Sequence, residues 1–312
     1  MEKYIILADI TCDLSEEMRT FCNMEDYVRG HVHIIANGGE QDFATTLDWK
    51  NIPCETYYKV LGDKHAKVST APPNLDEYVD LFSKYVKEGY KVLSMSISSG
   101  ISSTYDFAVG AANRVKEQYP DAVIYSFDSY RMSAAFGLLV FYAHLLKQEG
   151  KSFEEVVSWL EANKQRVHQM GPIDDLMVIA RRGRLSMGKA IMGSFAGVKP
   201  MGDCNDDGYV TVLTKAKGIR KALDLTVQYV KEAATAPEQN YAIIAHTDRK
   251  QYADALKAQL EAEVPFRKVF LTECFSGSAA NIGPGMLGVY FFGEEISDLA
   301  RERELMTKLT GK

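Results

Sequence analysis

The sequence predicts an α/β protein of two domains. The first (1–170) is built on a largely parallel sheet and the second (171–312) on a mixed one, with a ligand cleft between them. Three observations lead there. The chain has 312 residues, enough for two domains of roughly 150 residues each. Short apolar runs of strand length alternate with longer amphipathic segments, the pattern of a sheet covered by helices on both faces. Gly171-Pro172 breaks the alternation near the middle.

Taken in order, residues 4–8 form an apolar run ending at Asp9, which reads as a buried first strand. A helix over 14–22 follows, capped by Asp13 or Ser15. Residues 31–35 and 41–46 flank Asn37-Gly38-Gly39, a hairpin signal because both glycines tolerate positive φ. Helices are expected at 53–61 and 75–88, a strand at 92–97 and a helix at 105–119. A strand at 122–127 and a helix at 133–149 come next, closed by Gly150. Ser152 and Glu155 make a capping box for a helix reaching about Gln169. Beyond the break come a strand at 176–180, a helix at 186–195 and a hairpin around Asp206-Asp207-Gly208. A long helix at 218–234, a strand at 241–246, a helix at 251–263, and strands at 268–272 and 287–292 complete the chain.

Composition removes several function classes. A net charge of −6 argues against general nucleic-acid binding, which needs a basic face. The five cysteines are scattered and contain no C-x-x-C pair, so neither a disulfide framework nor a zinc site is expected. The apolar run 134–146 is interrupted by His144 and too short to span a bilayer. Asp9 follows the first apolar run too soon for a signal peptide. A cytoplasmic protein without stable membrane insertion is the expectation.

The most telling stretch is Ser98-Ser99-Gly100-Ile101-Ser102-Ser103-Thr104-Tyr105, between an expected strand and an expected helix. Hydroxyls and unpaired first-turn N–H groups at the positive end of a helix dipole suit a carboxylate or phosphate. Capping alone would need one hydroxyl, and this loop supplies five. Ser69-Thr70-Ala71-Pro72-Pro73-Asn74 reads as a turn capping the helix near Leu75, unless Thr70 faces the serine loop. Gly183 to Ala190 nearly matches G-x-x-x-x-G-K-[ST], but alanine stands where the metal-binding hydroxyl belongs, so no phosphate loop is inferred. Arg181, Arg182 and Arg184 form a guanidinium cluster in an acidic chain. Gly100-Ile101-Ser102-Ser103-Thr104 lacks the second glycine of a nucleophile elbow. His31 and His33 share a strand face with no third metal ligand in sight. Asn281 opens a glycine–proline loop, Gly283-Pro284-Gly285, leading into the last strand.

Together these loops resemble one family, the bacterial DegV proteins, which include the fatty-acid-binding subunits of fatty acid kinases. The resemblance is carried by Asp9-Ile10-Thr11-Cys12-Asp13-Leu14, Thr70-Ala71-Pro72-Pro73, Ser98 to Tyr105, Asp128-Ser129 with Ser133 and Gly137, and Arg182-Gly183-Arg184-Leu185-Ser186. Lys199-Pro200, Asp207-Gly208 and Gly283-Pro284-Gly285 follow in the family's order. It implies two α/β domains clasping one long-chain fatty acid, its carboxylate at Thr70, Ser98, Ser102, Ser103 and Asn281 and its tail in an apolar tunnel. It further implies no catalytic residue, metal or cofactor in this chain. The partner would be a separate ATP-binding kinase subunit that converts the carboxylate to an acyl phosphate, with Arg181, Arg182, Arg184, Lys217 and Arg220 as contact candidates.

The chain departs from the family pattern in four places. Ala71 replaces a hydroxyl residue, Ser103 a glycine and Asn281 a histidine, while Lys217 stands where an arginine is expected, with Arg220 nearby. An alternative function, an acyl- or phosphoryl-ester hydrolase or transferase with Ser102 as nucleophile, lacks an identifiable base.

Overall fold

The computed structural model describes residues 2–185 and 197–311. In chain order the first half contains β1 (Tyr4–Asp9), α1 (Glu16–Phe21), β2 (Asp26–Val28), β3 (His31–Ala36), β4 (Gly39–Ala44), α2 (Cys54–Gly62), β5 (Lys67–Ala71) and α3 (Leu75–Lys87). It continues with β6 (Lys91–Ser96), α4 (Thr104–Gln118), β7 (Ile124–Asp128), α5 (Ser133–Gln148) and α6 (Phe153–Asn163). The second half contains β8 (Val167–Met170), α7 (Leu176–Arg181), β9 (Val198–Cys204), β10 (Val210–Lys217), α8 (Ile219–Ala233) and β11 (Tyr241–His246). Then come α9 (Lys250–Glu263), β12 (Lys268–Glu273), α10 (Ser276–Ile282), β13 (Leu287–Phe292) and α11 (Ala300–Thr310).

Two four-stranded sheets organise the chain. The first runs β2-β1-β6-β7 and is parallel throughout. The second runs β12-β11-β13-β8, parallel between β11 and β12 and antiparallel across β13. A three-stranded antiparallel sheet, β4-β3-β5, and the hairpin β9-β10 stand beside them. The predicted parallel and mixed sheets are both present.

Strand alternation explains how the layers stack. In β1, Tyr4, Ile6 and Ala8 join the core that contains α5, while Ile5 and Leu7 join the core under α3 and α4. In β11, Tyr241, Ile243 and Ala245 face the α5 core, and Ala242 and Ile244 face α8 and α9. Helix α5 is therefore buried between the two large sheets, which is why it is apolar almost all round. It lies hard against the turn at Ile10–Cys12: a Cβ on Gly137 would sit 2.1 Å from the Cys12 carbonyl oxygen.

The structure corrects several expected elements. Residues 176–180 form helix α7, not a strand: Asp175 caps it by accepting the Met177 N–H, and buried Leu176 and Ile179 recur at helical spacing. The helix expected to reach Gln169 ends at Asn163, and Val167–Met170 joins the second sheet, before the boundary expected at 171. Thr70 lies on strand β5, not in a turn between helices, although Asn74 does make the expected cap, as a full capping box with Glu77. Asn281 sits on helix α10, not in a loop. The helix expected at 186–195, and the near-match to a phosphate loop from Ser186 onward, lie outside the described residues.

Candidate functional site

A cavity of about 320 Å3 opens where β1, β5, the serine loop, α5, α7, β10 and α10 converge. Its lining comes from both sides of residue 171, with Asp9, Thr70 and Ser102 on one side and Ile179, Val210 and Asn281 on the other. At its polar end the loop after β6 delivers Ser102, Ser103 and Thr104 to the first turn of α4. Ser103 holds the N-cap position without a side-chain cap bond. The Ser102 hydroxyl accepts the Thr104 N–H at 3.3 Å and shares a 2.8 Å bond with the Thr104 hydroxyl. Orphan N–H groups at the start of this 15-residue helix face a space that favours negative charge.

Across the cavity, Thr70 and Asn281 meet although 211 residues separate them. Asn281 donates from Nδ2 to Thr70 Oγ1 at 3.0 Å and to the Gly277 carbonyl at 3.1 Å. Both amide hydrogens are thus engaged, and Thr70, having accepted one, keeps its own proton to donate. Asn281, expected as a carboxylate ligand, lines the same cavity and orients Thr70.

Asp9 ends β1 at the cavity wall, with its carboxylate spent internally. It accepts the N–H and hydroxyl of Thr11, and the Ile97 N–H at 2.7 Å. Burial raises its pKa against those hydrogen bonds. Beneath the cavity floor Asp13 accepts the Ser133 hydroxyl at 2.7 Å and the Phe275 N–H at 2.9 Å. Burial pushes Asp13 up to about 7. These buried acids join β1, α5 and α10 and so hold the walls together.

The remaining expected residues are dispersed. Ser98 is fully buried and absent from the cavity lining. Its hydroxyl accepts the Gly100 N–H, and it packs so closely on Gly208 that a Cβ there would meet it at 1.9 Å. Ser98 therefore locks the serine loop to the β9–β10 turn. Arg184 lines the cavity, Arg182 donates to the Val68 carbonyl beside Thr70, and Arg181 is exposed. Lys217 and Arg220 are exposed beyond the far end of β10, about 20 Å along that strand from cavity-lining Val210. Among the described residues no group of three or more His, Cys, Asp or Glu could hold a metal ion.

Sequence reasoning missed Arg131. It is wholly buried and donates to the carbonyls of Val167 (2.8 Å), Tyr130 (2.7 Å) and Asn205 (3.4 Å) and to Gln165 Oε1 (2.8 Å). Its carbonyl accepts the Ser98 N–H. The residue thus ties three places together, its side chain holding the second sheet and the β9–β10 turn and its backbone carbonyl the serine loop, immediately before cavity-lining Met132 and Ser133. An isolated arginine in sequence carries no mark of this role.

Beside the cavity, sharing Met132, Ser133, Ile179, Val210 and Ile282 of its wall, lies an apolar slot lined also by Ile173, Leu176, Met201, Met286 and Tyr290. The class is thus an α/β protein whose interior offers hydroxyls and a helix N-terminus at one end and hydrocarbon at the other. The family model described as an uncharacterised protein of the DegV family matches residues 3–294, and the chain belongs to that family. It is 30% identical over 294 residues to a DegV domain-containing protein of Clostridium perfringens, covering 94% of this chain and 99% of that one. The structure of a fatty acid binding DegV family protein of Streptococcus agalactiae matches with TM-score 0.76 and 25% identity, over 95% of this chain and 100% of that one. The Streptococcus pneumoniae fatty acid kinase B3 protein, loaded with linoleic acid, matches with TM-score 0.77 and 20% identity, over 94% of this chain and 100% of that one.

Proposed function

We propose that this protein holds one long-chain fatty acid and presents its carboxylate to a partner kinase, which makes the acyl phosphate. The observation that carries this is a cavity lined by hydroxyls at one end that shares its wall with an apolar slot. The carboxylate would accept from Ser102, Ser103, Thr70 and the first-turn N–H groups of α4. A tail of about sixteen carbons, at ~0.8 kcal/mol per methylene, contributes roughly 12 kcal/mol before the cost of immobilising it, enough for a ligand retained through purification. Arg184 at the cavity, with Arg181 and Arg182 beside it, supplies positive charge suited to a kinase active site carrying nucleotide phosphates. The hydrolase reading finds no support in the geometry, because the Ser102 hydroxyl is bonded to Thr104 and not to a base.

Ser102→Ala is expected to weaken fatty-acid binding by roughly 1–3 kcal/mol at every pH, the scale of a lost hydrogen bond to a charged group. Asn281→His is expected to tighten binding as pH falls below about 6.5, where an imidazole ionises, and to lose that gain above it. Titration of a fluorescent fatty acid from about pH 5.5 to 8.5 checks both. Wild-type affinity in Ser102→Ala throughout would place the head group elsewhere. With ATP and magnesium, acyl phosphate should form only when a fatty acid kinase subunit is added; product from this chain alone would contradict the division of labour.

A further inference from the structure

We propose that the protein has a second ligand site, for a small planar aromatic anion, at the end of α5 remote from the fatty-acid cavity. An open cleft of about 400 Å3 lies there, within the size range of small-molecule sites. Among the described residues it shares no lining residue with the cavity or its slot. Ser133 at the start of α5 lines the cavity, and Tyr142, about 13 Å further along the helix, lines the cleft. The inference therefore stands apart from the fatty-acid reading.

Part of the cleft wall is aromatic. The rings of Tyr142 and Trp159 stack at 5.4 Å and 9°, and Phe292 meets Tyr142 edge-on at 5.0 Å. Tyr142 is held in place, since its hydroxyl donates to Asn240 Oδ1 at 2.9 Å and accepts the Tyr241 N–H at 3.0 Å. Trp159 is only half-buried, which leaves aromatic surface for a flat ring to cover. The charge comes from Arg166 and Arg267, neither of which forms an ion pair among the described residues. Arg166 spends Nε on the Gly293 carbonyl at 3.2 Å and keeps its terminal nitrogens, while Arg267 is exposed over the Tyr241 ring. Guanidinium forks match a carboxylate or a phosphate and also stack on rings. Exposed Glu149 is the one acid among the described lining residues, so the cleft is net positive in a chain of net charge −6. Helices α5 and α6 end beside it, and free carbonyls there would repel an anion. Those carbonyls are taken: Leu145, Leu146 and Lys147 accept the N–H groups of Glu149, Lys151 and Gly150, and Trp159 accepts Asn163 Nδ2.

The test is titration calorimetry of the full chain with AMP and with 4-hydroxybenzoate, ring anions that bear a phosphate and a carboxylate. At least one is expected to bind with a dissociation constant below about 1 mM, and which one does so identifies the head group. Adenosine and ribose 5-phosphate in the first case, or phenol in the second, should bind at least about tenfold more weakly, because each keeps only the ring or only the charge. Arg267→Gln, at an exposed position, and Arg166→Gln should each weaken binding about tenfold at nearly the wild-type unfolding temperature. Trp49→Phe leaves Trp159 as the chain's one tryptophan, and its emission should change on binding. The proposal is overturned if neither ring anion binds up to about 5 mM, or if affinity is unmoved in both arginine variants. It is equally overturned by an unchanged Trp159 emission, or by hexadecanoic acid displacing the ring anion.

Discussion

Replacing Arg131 with alanine is expected to lower stability by about 3–5 kcal/mol, from the several hydrogen bonds to a charged donor that are lost at once. The guanidinium satisfies three carbonyls and one side-chain amide oxygen, the Val167 bond fully buried and the other three half-buried. Alanine would remove those bonds, at about 1–3 kcal/mol for each acceptor left without water or another donor, while the Tyr130 carbonyl keeps the Cys204 thiol. Relief from desolvating the cation offsets part of this sum, which is why the total is set below the simple addition. Urea unfolding at pH 7 measures it as a fall in midpoint. Because Arg131 precedes Met132 and Ser133 in the cavity wall, fatty-acid binding should weaken as well. A midpoint within error of wild type would show that the segments around Val167 and Asn205 are held by other contacts.

The second large effect is expected at His168. Its Nδ1 lies 2.8 Å from Asp203 Oδ2 and its Nε2 2.8 Å from the Glu294 carbonyl, and both side chains are nearly inaccessible. Burial pulls the imidazole pKa down, but the Asp203 charge and the hydrogen bonds outweigh it, leaving the pKa raised. His168→Ala removes the imidazole from the Asp203 carboxylate, which keeps the N–H groups of Gln169 and Cys204, a loss of about 3–5 kcal/mol. The sign of the pH dependence follows from the raised pKa. The protonation contribution is complete below about 6.5, the unfolded value, and is lost as pH rises through the higher folded value. Unfolding midpoints of wild type and variant should thus differ most below about pH 6.5, and the difference should narrow as pH rises through the higher folded value. A difference that grows with pH would reverse the assignment of charge to this pair.

Neither side chain announces itself in the sequence, and the reason is physical. A buried arginine and a buried histidine look like their surface counterparts until the chain brings Val167, Asn205 and Asp203 around them. Elements buried on both faces were readable: β1, β11 and β13 are short, nearly continuous apolar runs, and β6 carries Val92, Leu93 and Met95 among serines. β5 was not, because Lys-Val-Ser-Thr-Ala is a mostly exposed edge strand with a single buried residue. α7 was misread since Leu-Met-Val-Ile-Ala is apolar at every position, and only packing leaves Met177 44% exposed. α10 escaped because Ser276 to Ile282 is short, contains Gly277 and carries almost no polar face.

The polar end of the site was legible for the opposite reason. Hydroxyls in excess of what one cap needs are a local signal, and Ser102, Ser103 and Thr70 do line the cavity. Ser98 belongs to the same run, yet its side chain points to Gly208 because the loop turns there. The apolar end was hidden, as Met132, Ile179, Val210 and Ile282 come from four separate elements that no spacing rule connects.

The central claim is that the cavity holds a fatty acid, and mass spectrometry of an organic extract of the purified protein tests it most directly. The predicted result is one long-chain fatty acid in about one-to-one ratio with the chain, consistent with the burial of a full acyl tail. An extract free of acyl lipid, from protein that also takes up no added fatty acid, would contradict it.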